Sequence, residues 1–378
     1  MPLTGNRGEW SEIYIFLKLI NDGKIYAADK NMKRLANVYL GILKIIREEN
    51  PGLVYEYQTG NPVKIYLNHS DVGPDTDVAE FNRMKNKLWD LLGQYPHGSI
   101  SSSEIEDFLR RIHIEKLKTP ASSNAIFFGG TEDIVMEISD YRTSITSIVG
   151  FSCKSDFSGK STLFNASQNN TNFRFEIVNG CNDAIMNDIN STFDAQGHIA
   201  VADRIKKMKA YGLDVIFDEQ LKNSAKRNLV MSGGMEMPLI VAGMLKNYYW
   251  EGNGESAHSS IAEAIDYLAN CNPASYAFDD LADMYKTKIA KLLYDMFTGM
   301  KLKRSWDGRA SVTGGYIIVK EDGDVLAYHT TLIDEFKDFL IERLGLETPS
   351  NTKHNAMQIY KQEMKYFINF NLQVRFKK

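Results

Sequence analysis

The sequence predicts an α/β protein with a strand-rich core, a helical region and a C-terminal segment of mixed α+β character. Three patterns carry that prediction. Short stretches alternate apolar and polar residues about turns, at Leu53–Tyr57 with Val63–Leu67 and at Glu132–Ile138 with Ile145–Lys154, as half-buried hairpin strands do. From about Asp183 to Met300 apolar residues recur at helical spacing, in Ile199–Ala210, Pro238–Tyr249, Ser260–Leu268 and Leu281–Phe297. Strands then return at Gly315–Lys320 and Val325–His329, about the tight turn Glu321-Asp-Gly-Asp. The expected division is 1–182 for the core, with its principal hairpin at about 131–178, then 183–300 and 301–378.

Taken in order, Glu9–Leu19 sets Trp10, Ile13, Phe16 and Leu17 on one helical face, and Asp22-Gly23 supplies a glycine stop. The hairpin about Thr59-Gly-Asn-Pro follows, then helices at Ala79–Leu92 and Ser103–Ile112. The serine run before the second offers an N-cap, with Glu104 and Glu106 suited to its positive end. A third strand is expected at Phe173–Val178, a helix at Ile333–Leu344, and a last hairpin of Gln358–Tyr360 against Tyr366–Phe376. No internal repeat or low-complexity linker interrupts the chain.

With 378 residues, 43% hydrophobic and 24% charged, the chain has room for two or three cores. Its longest apolar stretch, Met235–Leu245, is broken by Pro238 and Gly243 and is too short to cross a bilayer. The N-terminus has no apolar core behind its basic residue, so a cytoplasmic location without membrane association is expected. Cys153, Cys181 and Cys271 form no CxxC pair and suit a reducing compartment. A net charge of -4 argues against a wholly nucleic-acid-coated surface. A groove needs only a local basic lining. Candidates are Arg204, Lys206, Lys207 and Lys209, the Lys222/Lys226/Arg227 group, and the tail Arg375-Phe-Lys-Lys, each of which reads first as a solvated face or tail.

Metal-assisted phosphodiester hydrolysis needs a carboxylate to hold Mg2+, a second oxygen ligand and a cation for the developing charge. Asp133 and Ser152-Cys-Lys154 lie on adjoining strands, and alternation puts Ser152 and Lys154 on one face with Cys153 on the other. This resembles the PD-(D/E)xK nuclease arrangement, with Glu132 in the proline position and Ser152 in the place of the acid. Another acid must then complete the site, and Glu12, Glu106 and Glu176 each qualify. The following segment is rich in phosphate and base-edge donors. A P-loop at Gly159-Lys160-Ser161 is rejected, because the pattern requires glycine where Lys154 stands.

Over nearly its whole length the chain resembles the HpaII family of type II restriction endonucleases. The likeness runs through Gly8-Glu-Trp-Ser-Glu12, Asp22–Asp29, Gly150-Phe-Ser-Cys-Lys-Ser155, Thr162–Ser167, Thr171–Phe173, Thr313–Lys320, Tyr328-His329 and Asn369–Phe376. It implies a restriction-endonuclease-like core in serine-x-lysine form, cleavage of double-stranded DNA at CCGG or a related site with Mg2+, and a cytosine methyltransferase as functional partner. A homodimer is one assembly open to it. Asp133 is implied as metal ligand, Lys154 as charge stabiliser or water-orienting cation and Ser152 as a weak outer ligand. Ser155, Lys160, Thr162, Asn165, Ser167, Asn170 and Asn172 are implied to contact DNA. His329 reads as a packed residue rather than a general base. Competing readings are a sequence-nonspecific metal nuclease, a DNA-binding relative without catalysis, and an interaction module built on the helical block.

Overall fold

The computed structural model describes residues 3–95, 98–118, 132–155, 162–167, 170–218, 221–310, 313–349 and 357–377. The chain opens with α1 (Arg7–Asp22), β1 (Lys24–Ala28), β2 (Arg34–Asn50), β3 (Leu53–Gln58), β4 (Lys64–Leu67) and β5 (Ser70–Asp71). It continues with α2 (Val78–Gln94), α3 (Ser103–Arg111), β6 (Ile134–Asp140) and β7 (Ile145–Ser155). Next come β8 (Thr162–Phe164), β9 (Asn172–Val178), α4 (Asp183–Asn190), α5 (Val201–Ala210), β10 (Asp214–Phe217), α6 (Asn223–Gly233), α7 (Met237–Leu245), α8 (Ile261–Cys271) and α9 (Leu281–Phe297). The end comprises β11 (Gly315–Val319), β12 (Val325–His329), α10 (Ile333–Arg343), β13 (Leu344–Leu346), β14 (Tyr360–Gln362), β15 (Lys365–Asn371) and β16 (Val374–Phe376).

Contacts divide these elements into two units, one of Met1–Ser161 with Ser311–Phe336, the other of Thr162–Ala310 with Lys337–Lys377. The hairpin β11–β12 belongs with the N-terminal strands because β11 pairs in parallel with β7, Ile317 opposite Cys153. β9 lies in the other unit, where it pairs with β10 and β15 rather than extending the β6–β7 hairpin.

In the first unit nine strands run in the order β1-β12-β11-β7-β6-β2-β3-β4-β5, and β1 also pairs with β2. The seventeen-residue strand β2 escapes simple alternation for a local reason. Its register against β6 shifts between Ile42 and Lys44, so the buried positions pass from Leu40 and Ile42 to Ile45, as one inserted bulge residue requires. Helix α1 packs across this sheet. Asn6 and Glu9 close a capping box at its start, and Gly23, at φ 60, ends it in the left-handed conformation that glycine tolerates. Trp10, Ile13, Phe16, Leu17 and Ile20 are buried in the core with Ile45, Tyr57, Phe81, Phe151 and Ile317. Each such side chain contributes roughly 1.5–3 kcal/mol of burial, enough to fix which residues of α1 meet the sheet.

In the second unit, sheets β10-β9-β15-β14 and β13-β16-β8 accompany helices α4 to α9. The apolar stretch at Met235–Leu245 is largely α7, whose Ile240, Val241, Met244 and Leu245 are core residues. Among the described residues no single helix is long and apolar enough to cross a membrane, and all three cysteines are free thiols.

Candidate active site

Asp133 stands one residue before β6, where its backbone N–H donates to Phe151 O at 2.9 Å and continues the ladder with β7. Its carboxylate turns back onto the same strand. Oδ2 accepts from Ser152 Oγ at 2.9 Å and from the Cys153 N–H at 2.8 Å. Ser152 thus orients the Asp133 carboxylate. Across β7–β11, Ser152 pairs with Tyr316 and Lys154 with Ile318, whereas Cys153 packs toward the core beneath α1. Lys154 Nζ lies 5.8 Å from the Tyr316 ring centroid, at cation–π distance. No acid among the described residues forms an ion pair with it.

Glu12 comes from α1. It lines a cleft of about 120 Å³ together with Ser11, Cys153, Lys154 and Ser155. Burial first, and the negative charge of Asp133 second, push its carboxyl up to about 7, against the opposing pull of Lys118, Arg47 and Lys154. Lys118 Nζ is 3.8 Å from Glu12 Oε1. Neither Lys118 nor Arg47 is marked by any motif, since each reaches this place only through the packing of a distant segment.

Glu106 and Glu176 are tied elsewhere. Glu106 is buried on α3, accepts from the Leu3 N–H at 2.9 Å and pairs with Arg110 at 3.1 Å. Glu176 is on β9 in the second unit and pairs with Lys365 at 2.7 Å. Glu12 is the candidate acid that the fold brings to Asp133 and Lys154. Among the described residues no three His, Cys, Asp or Glu side chains form a ready-made metal cluster.

Two neighbours shape the site without joining it. Gly150 leaves room for the buried Glu132: a Cβ there would meet Glu132 Cγ at 2.2 Å. His329 is buried beside Phe151, ring centroids 5.6 Å apart, with Nδ1 2.6 Å from Thr331 Oγ1. Burial pushes its imidazole down to about 4, so it is a packed neutral ring.

Of the expected DNA contacts, Ser155 ends β7 and Thr162 pairs with Arg375 between β8 and β16. Asn165 is exposed. Ser167 Oγ accepts from Asn170 Nδ2 at 2.8 Å, and Asn172 accepts from the buried Asn371, so each of these asparagines is held by a side-chain hydrogen bond. Lys160 lies outside the described residues. The Arg204 cluster is structural: Arg204 is buried and donates to three carbonyls, Lys206 pairs with Glu255 and Lys207 with Asp188. Arg375 pairs with Glu347.

Residues 6–376 match the family model described as HpaII restriction endonuclease. The chain belongs to the HpaII restriction endonuclease family. The type II restriction enzyme HpaII of Haemophilus parainfluenzae is 30% identical over 378 residues, covering 99% of this chain and 98% of that one. No solved structure matches this chain. As a member of the HpaII family it is a type II site-specific deoxyribonuclease of a restriction-modification system, acting on double-stranded DNA. Enzymes of this type generally need divalent metal ions. The nonspecific, inactive and interaction-module readings are thereby set aside.

Proposed function

We propose that this HpaII-family enzyme cleaves DNA at CCGG or a closely related sequence, using Mg2+, through a PD-(D/E)xK-type site in its serine-x-lysine form. The observation that carries the reading is the mutual placement of Glu12, Asp133 and Lys154, with Ser152 bonded to Asp133. Two carboxylates close enough to interact repel, and the raised Glu12 carboxyl records the repulsion by Asp133 on top of burial. A divalent cation relieves it, and hard oxygen donors are what Mg2+ takes. The residues therefore fit the ion, with Glu12 and Asp133 as its protein ligands. When bound, the ion supplies charge neutralisation at the scissile phosphate and a more acidic water.

The remaining work falls to this chain's own groups. Ser152 and the Cys153 N–H hold Asp133 Oδ2 in place. Lys154, on the same face as Ser152, sets an ammonium where negative charge grows on the phosphate oxygens. Glu12, whose carboxyl is raised by burial and by Asp133, would hold the ion in its carboxylate form. Ser155, Lys160, Thr162, Asn165, Ser167, Asn170 and Asn172 contact the duplex. A cytosine methyltransferase protects the host site, the location is cytoplasmic, and a homodimer supplies one site per strand.

Incubation of the purified protein with plasmid DNA and Mg2+, with and without methylated CCGG, followed by sequencing of the ends, tests this reading. Discrete ends at CCGG, blocked by methylation, are expected. Discrete ends at another sequence would overturn the target, and absence of cleavage would overturn the reaction.

A further inference from the structure

In the second unit a cleft of about 290 Å³ opens between the segment after β8 and the loop after α9. Phe164, Met300 and Leu302 line it as buried residues; Asn165, Lys301 and Lys303 line it as exposed ones. Both walls are braced from within. The fully buried Asn228 donates to Lys301 O at 2.9 Å and to Arg304 O at 2.8 Å, and accepts the Trp306 N–H at 3.0 Å. Ser224 Oγ donates to Leu302 O at 2.8 Å. On the opposite wall the Ser167 N–H donates to Thr171 Oγ1 at 2.9 Å, and the buried Thr171 donates to Asn371 at 2.9 Å.

Among the described residues no acid pairs with Lys301, Lys303 or Arg304, although the chain as a whole is negative and the cations around Arg204 are satisfied internally. Lys222, from the segment before α6, donates to Asn170 Oδ1 at 3.1 Å. Like charges held together on a rigid loop repel one another, and a polyanion relieves that repulsion. The Asn165 amide, exposed and without a hydrogen-bond partner among the described residues, offers the donor and acceptor that a base or sugar edge requires.

We infer that this cleft grips one strand of the substrate duplex, with Lys301 and Lys303 on neighbouring phosphates and Asn165 facing a base or sugar edge. The inference rests on the enzyme's action on duplex DNA and adds a phosphate clamp formed by a loop that no sequence motif marks.

The test is equilibrium binding of the full-length protein to a 30-base-pair duplex in chelator, over a range of salt, for wild type, Lys301→Gln/Lys303→Gln and Lys301→Arg/Lys303→Arg. Loss of two phosphate contacts lowers the salt-dependence slope of log K by about 2, and in the glutamine variant affinity near physiological salt is expected to fall at least about tenfold at an unchanged melting temperature. The arginine variant is expected to keep the wild-type slope. An unchanged slope in the glutamine variant, or an equal loss in both variants, would overturn the clamp. Failure of the wild type itself to bind duplex would instead sink the underlying nuclease reading.

Discussion

Ser152 Oγ donates to Asp133 Oδ2 at 2.9 Å across adjoining strands. The serine thereby holds the Asp133 carboxylate. A hydrogen bond to a charged group is worth about 1.5–3 kcal/mol, so Ser152→Ala is expected to lower the single-turnover cleavage rate by about tenfold or more while leaving duplex affinity unchanged. Ser152→Thr, which keeps the hydroxyl, should restore most of the rate. Equal loss in both variants would show that the hydroxyl does not position Asp133.

The raised Glu12 carboxyl gives the metal dependence a pH signature. Its folded value, about 7, lies above the ordinary value of 4.5, so between those limits the folded metal-free protein holds a proton the unfolded chain has released. That contribution to stability is present at low pH and is lost as pH rises through about 7. With Glu12 holding the ion as a carboxylate, binding would release that proton, so below pH 7 apparent Mg2+ affinity should rise about tenfold per pH unit, then level off above it. Glu12→Gln should abolish this dependence. Calorimetric Mg2+ titrations at pH 6, 7 and 8 decide the matter.

His329 predicts the opposite slope. Its buried imidazole is depressed to about 4 from 6.5, so its contribution to stability is complete above about 6.5 and is lost as pH falls toward 4, amounting to about 3 kcal/mol at full extent. Denaturant melts of wild type and His329→Gln between pH 7 and pH 4 should converge at the acid end. The cleavage pH profile should not move, because His329 is a packing residue.

How much was legible in the sequence differs from residue to residue. α1, the β3–β4 hairpin and the β11–β12 hairpin were legible because their periodicity and turns are local. β2 was not, since its bulge at Ile42–Lys44 changes which positions face the core. β9 was legible as a strand but not its sheet, because pairing with β15 joins residues far apart in the chain. Asp133, Ser152 and Lys154 could be proposed from strand alternation. The choice of Glu12 over Glu106 and Glu176 required the packing of α1 on β7, which no spacing encodes.

Gly150 shows a further constraint that only the packed structure displays. Alanine there would place its Cβ 2.2 Å from Glu132 Cγ, and relief requires displacing a buried side chain just ahead of Asp133. Gly150→Ala is expected to cost about 2 kcal/mol, read as a lower denaturation midpoint, with cleavage reduced even where the protein is fully folded.

The most direct measurement is single-turnover cleavage of plasmid DNA in Mg2+ by Asp133→Ala, Lys154→Ala, Glu12→Gln and Glu176→Gln, with duplex binding measured in parallel. The first three are expected to lose at least about a hundredfold in rate, as removal of groups that hold or stabilise reacting charge does, while still binding DNA. Glu176→Gln should cut at close to the wild-type rate. Wild-type cleavage by Asp133→Ala or Lys154→Ala, or loss of cleavage in Glu176→Gln with Glu12→Gln intact, would contradict a site built from Glu12, Asp133 and Lys154.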